Sequence, residues 1–330
     1  MSLAADGSVQ NGAGTSIYKN IAALATSCTM YLSMDSMLGD AYIVSSTDST
    51  GEKSTLTVVT VGATTPDKGA IADTSPVLDY PIVDILTLNS ASGLFVGLCQ
   101  DINVDEPTDF IVAGTVEKNN KYAISALVKS ESYVGTQYSV SPSITRLSDT
   151  EFAIAFYGLT RVETRYGKIF MNIISSCLFA LSHLVSPCSC LGKVNPTTLA
   201  ITFTDPVDVV LGNYTNFNLV SFTATSYALV YFEGTNTVMP YYGWGVLTAK
   251  LATVSATGEV TLSDAIQANN TAPIFTLAAT RMSDTSAVIA YADYSLDYAI
   301  NTQLLTLSGN KLCKLILNML SFFSIVIFSI

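Results

Sequence analysis

Side chains able to do chemistry are few in this chain, and they are scattered. Acidic residues cluster in Asp101-Ile-Asn-Val-Asp105-Glu106-Pro-Thr-Asp109. Carboxylates so placed on one loop offer several hard oxygens to calcium, which makes Asp101, Asp105 and Asp109 the candidate metal ligands; a solvated acidic loop is the plainer account of the same run. Asp293 and Asp297 flank Tyr294, two carboxylates where a metal site needs more. Glycoside hydrolysis needs a pair of carboxyl groups, but among 26 Asp and Glu residues spacing alone singles out no pair. The one histidine, His183, lies in an apolar run, so the rest of the chain assembles no Ser-His-Asp or Cys-His set. Of six cysteines (Cys28, Cys99, Cys177, Cys188, Cys190 and Cys313), Cys188 and Cys190 are the one close pair. They have no second pair nearby, as a zinc site would. Phosphate-binding loops and dinucleotide fingerprints are missing from the sequence. No catalytic residue is assigned, and calcium at the acidic loop is the one cofactor in question.

The most distinctive aromatic run is Met239-Pro-Tyr241-Tyr242-Gly-Trp244-Gly. Tyr241, Tyr242 and Trp244 are candidates for a binding surface, since aromatics beside glycine stack on sugar rings or anchor a protein partner. Packing between strands is the competing use of the same rings. A net charge of -11 repels phosphate backbones, so nucleic acid is not an expected partner.

The elements that must hold these groups read as strands. Hydrophobic residues make up 49% of the 330 and charged residues 12%, with 17 Tyr, a composition suited to half-buried β structure. Self-similarity carries more information. Arg146-Leu-Ser-Asp-Thr-Glu-Phe-Ala-Ile-Ala-Phe156 matches Arg281-Met-Ser-Asp-Thr-Ser-Ala-Val-Ile-Ala-Tyr291, and looser copies run from Ser221 to Tyr231, Leu88 to Leu98 and Met37 to Val44. Taking Val44, Leu98, Phe156, Tyr231 and Tyr291 as equivalent gives steps of 54, 58, 75 and 60 residues. Each copy is an apolar run of strand length entered through a polar turn, the mark of a strand covered on both faces. Expected hairpin partners are 54–61, 110–116, 199–203, 246–254 and 299–307, with room for four strands per repeat. In its order of leucine, small polar turn, apolar run, aromatic and acidic residue, the copy resembles a β-propeller blade. That resemblance implies an all-β β-propeller of about five visible four-stranded blades over residues 17–312, with an incomplete carboxyl end. The signatures of WD40, sialidase Asp-box and integrin-like blades are missing, so no named family's function is implied.

Residues 1–16 read as a flexible polar tail, without the order of a secretory signal. Asn213-Tyr214-Thr215 and Asn269-Asn270-Thr271 are glycan-acceptor sequons, informative only for a secreted chain. Two apolar segments break the pattern: residues 168–192, which explain the 75-residue step, and the hydrophobic carboxyl tail 313–330. Their abrupt edges suit an insertion foreign to the repeat, such as translated intron. A genuine tail from Leu315 to Ile330 would tether the protein to a membrane. The leading expectation for function is a non-catalytic binding or scaffolding platform for a protein or glycan. Its alternatives are a glycan-acting hydrolase or lyase using rim carboxylates, and a membrane-tethered surface protein.

Overall fold

A computed structural model describes residues 2–3, 9–10, 32–37, 41–47, 53–60, 77–101, 108–118, 122–124, 127–130, 143–159, 185–209, 214–234, 244–293 and 299–315. Among these every regular element is a β-strand, and no helix is long and apolar enough to cross a membrane. The short strands β1 (Ser2–Leu3) and β2 (Val9–Gln10) pair with each other. A first sheet follows in the order β3 (Leu32–Met37), β4 (Ala41–Thr47), β5 (Ser54–Thr60), β6 (Val77–Leu78). The second has β7 (Ile82–Asn89), β8 (Leu94–Asp101), β9 (Thr108–Lys118) and β10 (Tyr122–Ile124), with β11 (Val128–Lys129) also on β9. The third has β12 (Ser143–Arg146), β13 (Glu151–Leu159), β14 (Val185–Val194) and β15 (Ile201–Phe203), with β16 (Val207–Asp208) on β14.

The remaining strands form one continuous ladder of two four-stranded sheets. The fourth sheet takes β17 (Tyr214–Thr223), β18 (Ser226–Gly234), β19 (Trp244–Val254) with β20 (Val260–Leu262), and the first half of β21 (Ile266–Ser283). The fifth takes the second half of β21, then β22 (Ser286–Asp293), β23 (Ala299–Ser308) and β24 (Lys311–Leu315). All pairings are antiparallel, and each sheet meanders in chain order as a propeller blade does. The all-β blade class expected from the sequence is the one observed. Residues that the repeat equates, Val44, Leu98, Phe156, Tyr231 and Tyr291, all fall on the second strand of a sheet.

The turn that opens each copy has a physical basis. Ser148 Oγ accepts the Thr150 N–H, Thr223 Oγ1 the Thr225 N–H and Ser283 Oγ the Thr285 N–H, side-chain turns that reverse the chain between first and second strands. Arg146 pairs with Asp149 and Arg281 with Asp284 across the same two turns, which is why those two copies match so closely.

The chain divides into two compact units, one built mainly of residues 1–132 and one mainly of 133–327. In the first, Met37, Ile43, Leu56 and Val58 of the first sheet pack on Ile82, Phe95, Phe110 and Val112 of the second. In the second, β18 shows directly why an unbroken apolar run is a strand. Tyr227, Leu229 and Tyr231 join one buried cluster, and Ala228, Val230 and Phe232 join another, so both faces are covered and alternation vanishes from the sequence. A cross-strand device recurs: Phe95 lies opposite Gly114, and Phe152 opposite Gly192, each ring filling the space a side chain would take.

Two expectations need correction. The partner of β13 is β14, not the segment 199–203: Ile154 pairs with Cys190 and Phe156 with Cys188. The last residues of the apolar segment 168–192 are therefore ladder strand, while 160–184 lie outside the described residues. The fifth sheet is also not cut short. β24 completes it, pairing Lys311 with Ser308 and Cys313 with Thr306, so the expected tail 313–330 begins within a strand; residues 316–330 lie outside the described residues, as does most of 1–16.

Gly192→Ala would drive a Cβ into the Phe152 ring, with only a packed core to absorb it. Denaturant unfolding should show a loss of about 1–3 kcal/mol. Burial, with Cys188 nearby, pushes the Cys190 thiol well above its ordinary range, whereas Cys313 is exposed. Alkylation of the native protein near pH 8 followed by peptide mapping should label Cys313 readily, and Cys99, Cys188 and Cys190 only after unfolding.

Candidate functional site

The first strand of every sheet has an outer edge whose N–H groups receive nothing from its own sheet. In the first unit, β3 and β7 run side by side, and β3 side chains satisfy that edge of β7. Ser33 Oγ accepts the Ile85 N–H at 3.0 Å, and Asp35 Oδ2 accepts the Thr87 N–H at 2.6 Å. The same device recurs in the second unit. There Ser143 Oγ of β12 accepts the Leu219 N–H at 3.1 Å, and Thr145 Oγ1 accepts the Ser221 N–H at 3.2 Å. Between β17 and β21, Asn218 Oδ1 accepts the Ala279 N–H at 3.1 Å.

The two-residue rhythm makes these seams superimposable by register. Ser33 corresponds to Ser143, Asp35 to Thr145, and Asp84, which precedes the capped Ile85, to Asn218, which precedes the capped Leu219. The first unit thus carries carboxylates where the second carries neutral groups. Both are half-buried. Asp35 also accepts the Ser36 N–H through Oδ1 at 2.7 Å. Asp84 Oδ1 accepts the Ser33 hydroxyl at 3.0 Å and the Ile85 N–H at 2.9 Å. A register shift in the β7–β8 ladder falls between Ile82 and Asp84, the kind of irregularity that re-aims a side chain. Ser45 Oγ and Thr87 Oγ1, both deeply buried in the same unit, have no hydrogen-bond partner among the described residues.

Neither aspartate stood out in the sequence, because each is a lone acid inside a strand, and the bonds that tie them into the seam, Ser33 to Asp84 and Thr87 to Asp35, span 51 and 52 positions. The signal available was a polar residue at alternate positions of a first strand, Ser33 and Asp35, matched by Ser143 and Thr145.

The residues singled out from sequence are placed as follows. Asp101 closes β8 opposite Thr108, and Asp109 pairs with Gln100, so the two occupy alternating register positions of the β8–β9 ladder; Asp105 lies outside the described residues. Among the described residues no group of three or more His, Cys, Asp or Glu side chains gathers to hold a metal. Trp244 opens β19 opposite Pro273, while Tyr241, Tyr242, His183 and Asp297 lie outside the described residues. Asp293 ends β22, paired with Ile274 and Ala299. Of the groups with strongly shifted acidity, burial first pushes Tyr80 and Tyr227 upward. The Tyr227 hydroxyl shares a 2.9 Å hydrogen bond with Ser189 in the core, a structural tie.

No family model matches the chain, and no curated protein does. Solved structures do resemble it. A protein of unknown function from Dyadobacter fermentans is 9% identical with a TM-score of 0.48, covering 88% of this chain and 83% of that one. A GH93 α-L-arabinofuranosidase of Fusarium graminearum, solved with arabinobiose, is 8% identical with a TM-score of 0.42, covering 86% and 80%. A GH43 β-xylosidase/α-arabinofuranosidase from a compost microbial metagenome, solved with xylotriose, is 11% identical with a TM-score of 0.44, covering 88% and 95%. Likeness at this level assigns neither family nor substrate. The expectation of a non-catalytic binding or scaffolding platform is corrected here: the similar structures include glycoside hydrolases, among them these two and an exo-β-1,3-galactanase from Clostridium thermocellum.

Proposed function

We propose that this protein is a glycan-acting hydrolase in which Asp35 and Asp84 supply the two carboxyl groups that cleavage of a glycosidic bond requires. One observation carries the reading: the seam of the second unit makes the equivalent backbone caps with Ser143 and Thr145, so a hydroxyl stands where the first unit has Asp35, and the register position of Asp84 is held by the neutral Asn218, whose Oδ1 caps Ala279 in the next seam. A hydroxyl therefore suffices for the structural task. A carboxyl group at positions 35 and 84, where the second unit makes do with a hydroxyl and an amide, supports a use other than holding the strands. Two carboxylates on adjacent strands, each oriented by N–H or O–H donors, provide the acid and base work of glycoside hydrolysis.

The test uses the chain's own template. Asp35→Thr and Asp84→Asn copy the residues of the second seam and should keep the thermal midpoint within a few degrees of the parent. Against chromogenic aryl glycosides, including arabinofuranosides, xylosides and galactosides, each should lower turnover about 10³-fold. Parent-level turnover in both variants, or no turnover by the parent on any glycoside, would sink the reading.

A further inference from the structure

Resting on that reading, we propose that Ser33 is a positioning residue that holds Asp84 in its ionised, reactive orientation, and that Ser143 is its structural counterpart without this role. A serine hydroxyl has one proton to give. On the acceptor side, Ser33 Oγ takes the Ile85 N–H; on the donor side, its proton goes to Asp84 Oδ1. The Ile85 N–H is itself shared between Ser33 Oγ at 3.0 Å and Asp84 Oδ1 at 2.9 Å. Serine hydroxyl, amide and carboxylate oxygen therefore close a triangle in which each orients the others. Such a triangle fixes Oδ1, and with it the plane of the carboxylate.

Donation to a carboxylate oxygen favours the charged form over the protonated one. Ser33 thus suits Asp84 to the part of the reaction that needs a carboxylate, whether nucleophile or base, rather than to the part that delivers a proton. Ser143 makes the same amide contact with Leu219, but the residue before that amide is the neutral Asn218, whose Oδ1 accepts the Ala279 N–H of the next seam and which carries no charge to hold. One chain therefore contains the hydroxyl with its carboxylate and the hydroxyl without it.

The pH dependence of kcat/KM separates the two roles. Ser33→Ala should move the acid limb to higher pH by about one unit and lower kcat about tenfold or more, while KM stays near the parent value. Ser33→Thr, which restores the hydroxyl, should return the limb to its place. Ser143→Ala removes a seam hydroxyl too, and should weaken folding without moving the limb. Should Ser33→Ala fold poorly, Ser33→Cys, with its much weaker donor, should shift the limb in the same direction. An acid limb unmoved in Ser33→Ala or Ser33→Cys, or moved equally in Ser143→Ala, overturns the proposal. Asp84→Asn tells that failure from failure of the underlying reading: if it loses turnover while the Ser33 variants keep the parent profile, the carboxylate role stands and the serine role falls.

Discussion

The satisfaction of backbone N–H groups along the unpaired edge of the first strands β7, β17 and β21 is the constraint on which the rest depends. A meander of four strands leaves that edge unpaired, and a buried N–H without a partner costs about 1–3 kcal/mol. Another strand at ladder distance would merge neighbouring sheets into one. Here side chains take the place of a strand: Ser33 and Asp35 serve β7, Ser143 and Thr145 serve β17, and Asn218 serves the second half of β21. Within each unit, first strands are thereby stitched side by side: β3 to β7, β12 to β17 and β17 to β21.

The packing follows from the stitching. Once first strands lie side by side, the faces behind them must fill the space between sheets, so the second strands become apolar on both sides, as Tyr227 to Phe232 demonstrates. Aromatic rings reaching across to Gly114 and Gly192 use room that no other residue would leave. The far side of three third strands, β9, β14 and β19, is finished by a similar economy of hydroxyls. Ser130, Thr204 and Ser263 each donate an N–H to a third-strand carbonyl and offer an oxygen to the same residue's N–H, at Ile111, Leu191 and Leu251 respectively.

Much of this was legible in the sequence, and the exceptions have reasons. The second strands were visible because covering both faces erases alternation and leaves an apolar run between turns, and the turns were visible because Ser-Asp-Thr with a preceding arginine closes its own hydrogen bonds and ion pair. β14 was hidden: Val185-Ser-Pro-Cys-Ser-Cys-Leu-Gly-Lys-Val194 is poor in β-branched residues and merges with an apolar run before it. β24 was hidden for a like reason, its Lys311-Leu-Cys-Lys-Leu315 running into the hydrophobic tail. The candidate site could not be read from local spacing at all. Acids were sought where they cluster, around Asp105, whereas the proposed pair is one aspartate from each of two neighbouring strands, tied into one seam by bonds that span half a hundred residues.

β21 has one more implication. Its 18 residues are the last strand of one sheet up to Pro273 and the first strand of the next from Ile274 onward. No linker separates the two, so neither sheet can lose this element without robbing the other. Fluctuations that fray the outer border of the fourth sheet are carried by this one strand to the stitched border of the fifth, which couples two sheets that the sequence repeat counts separately.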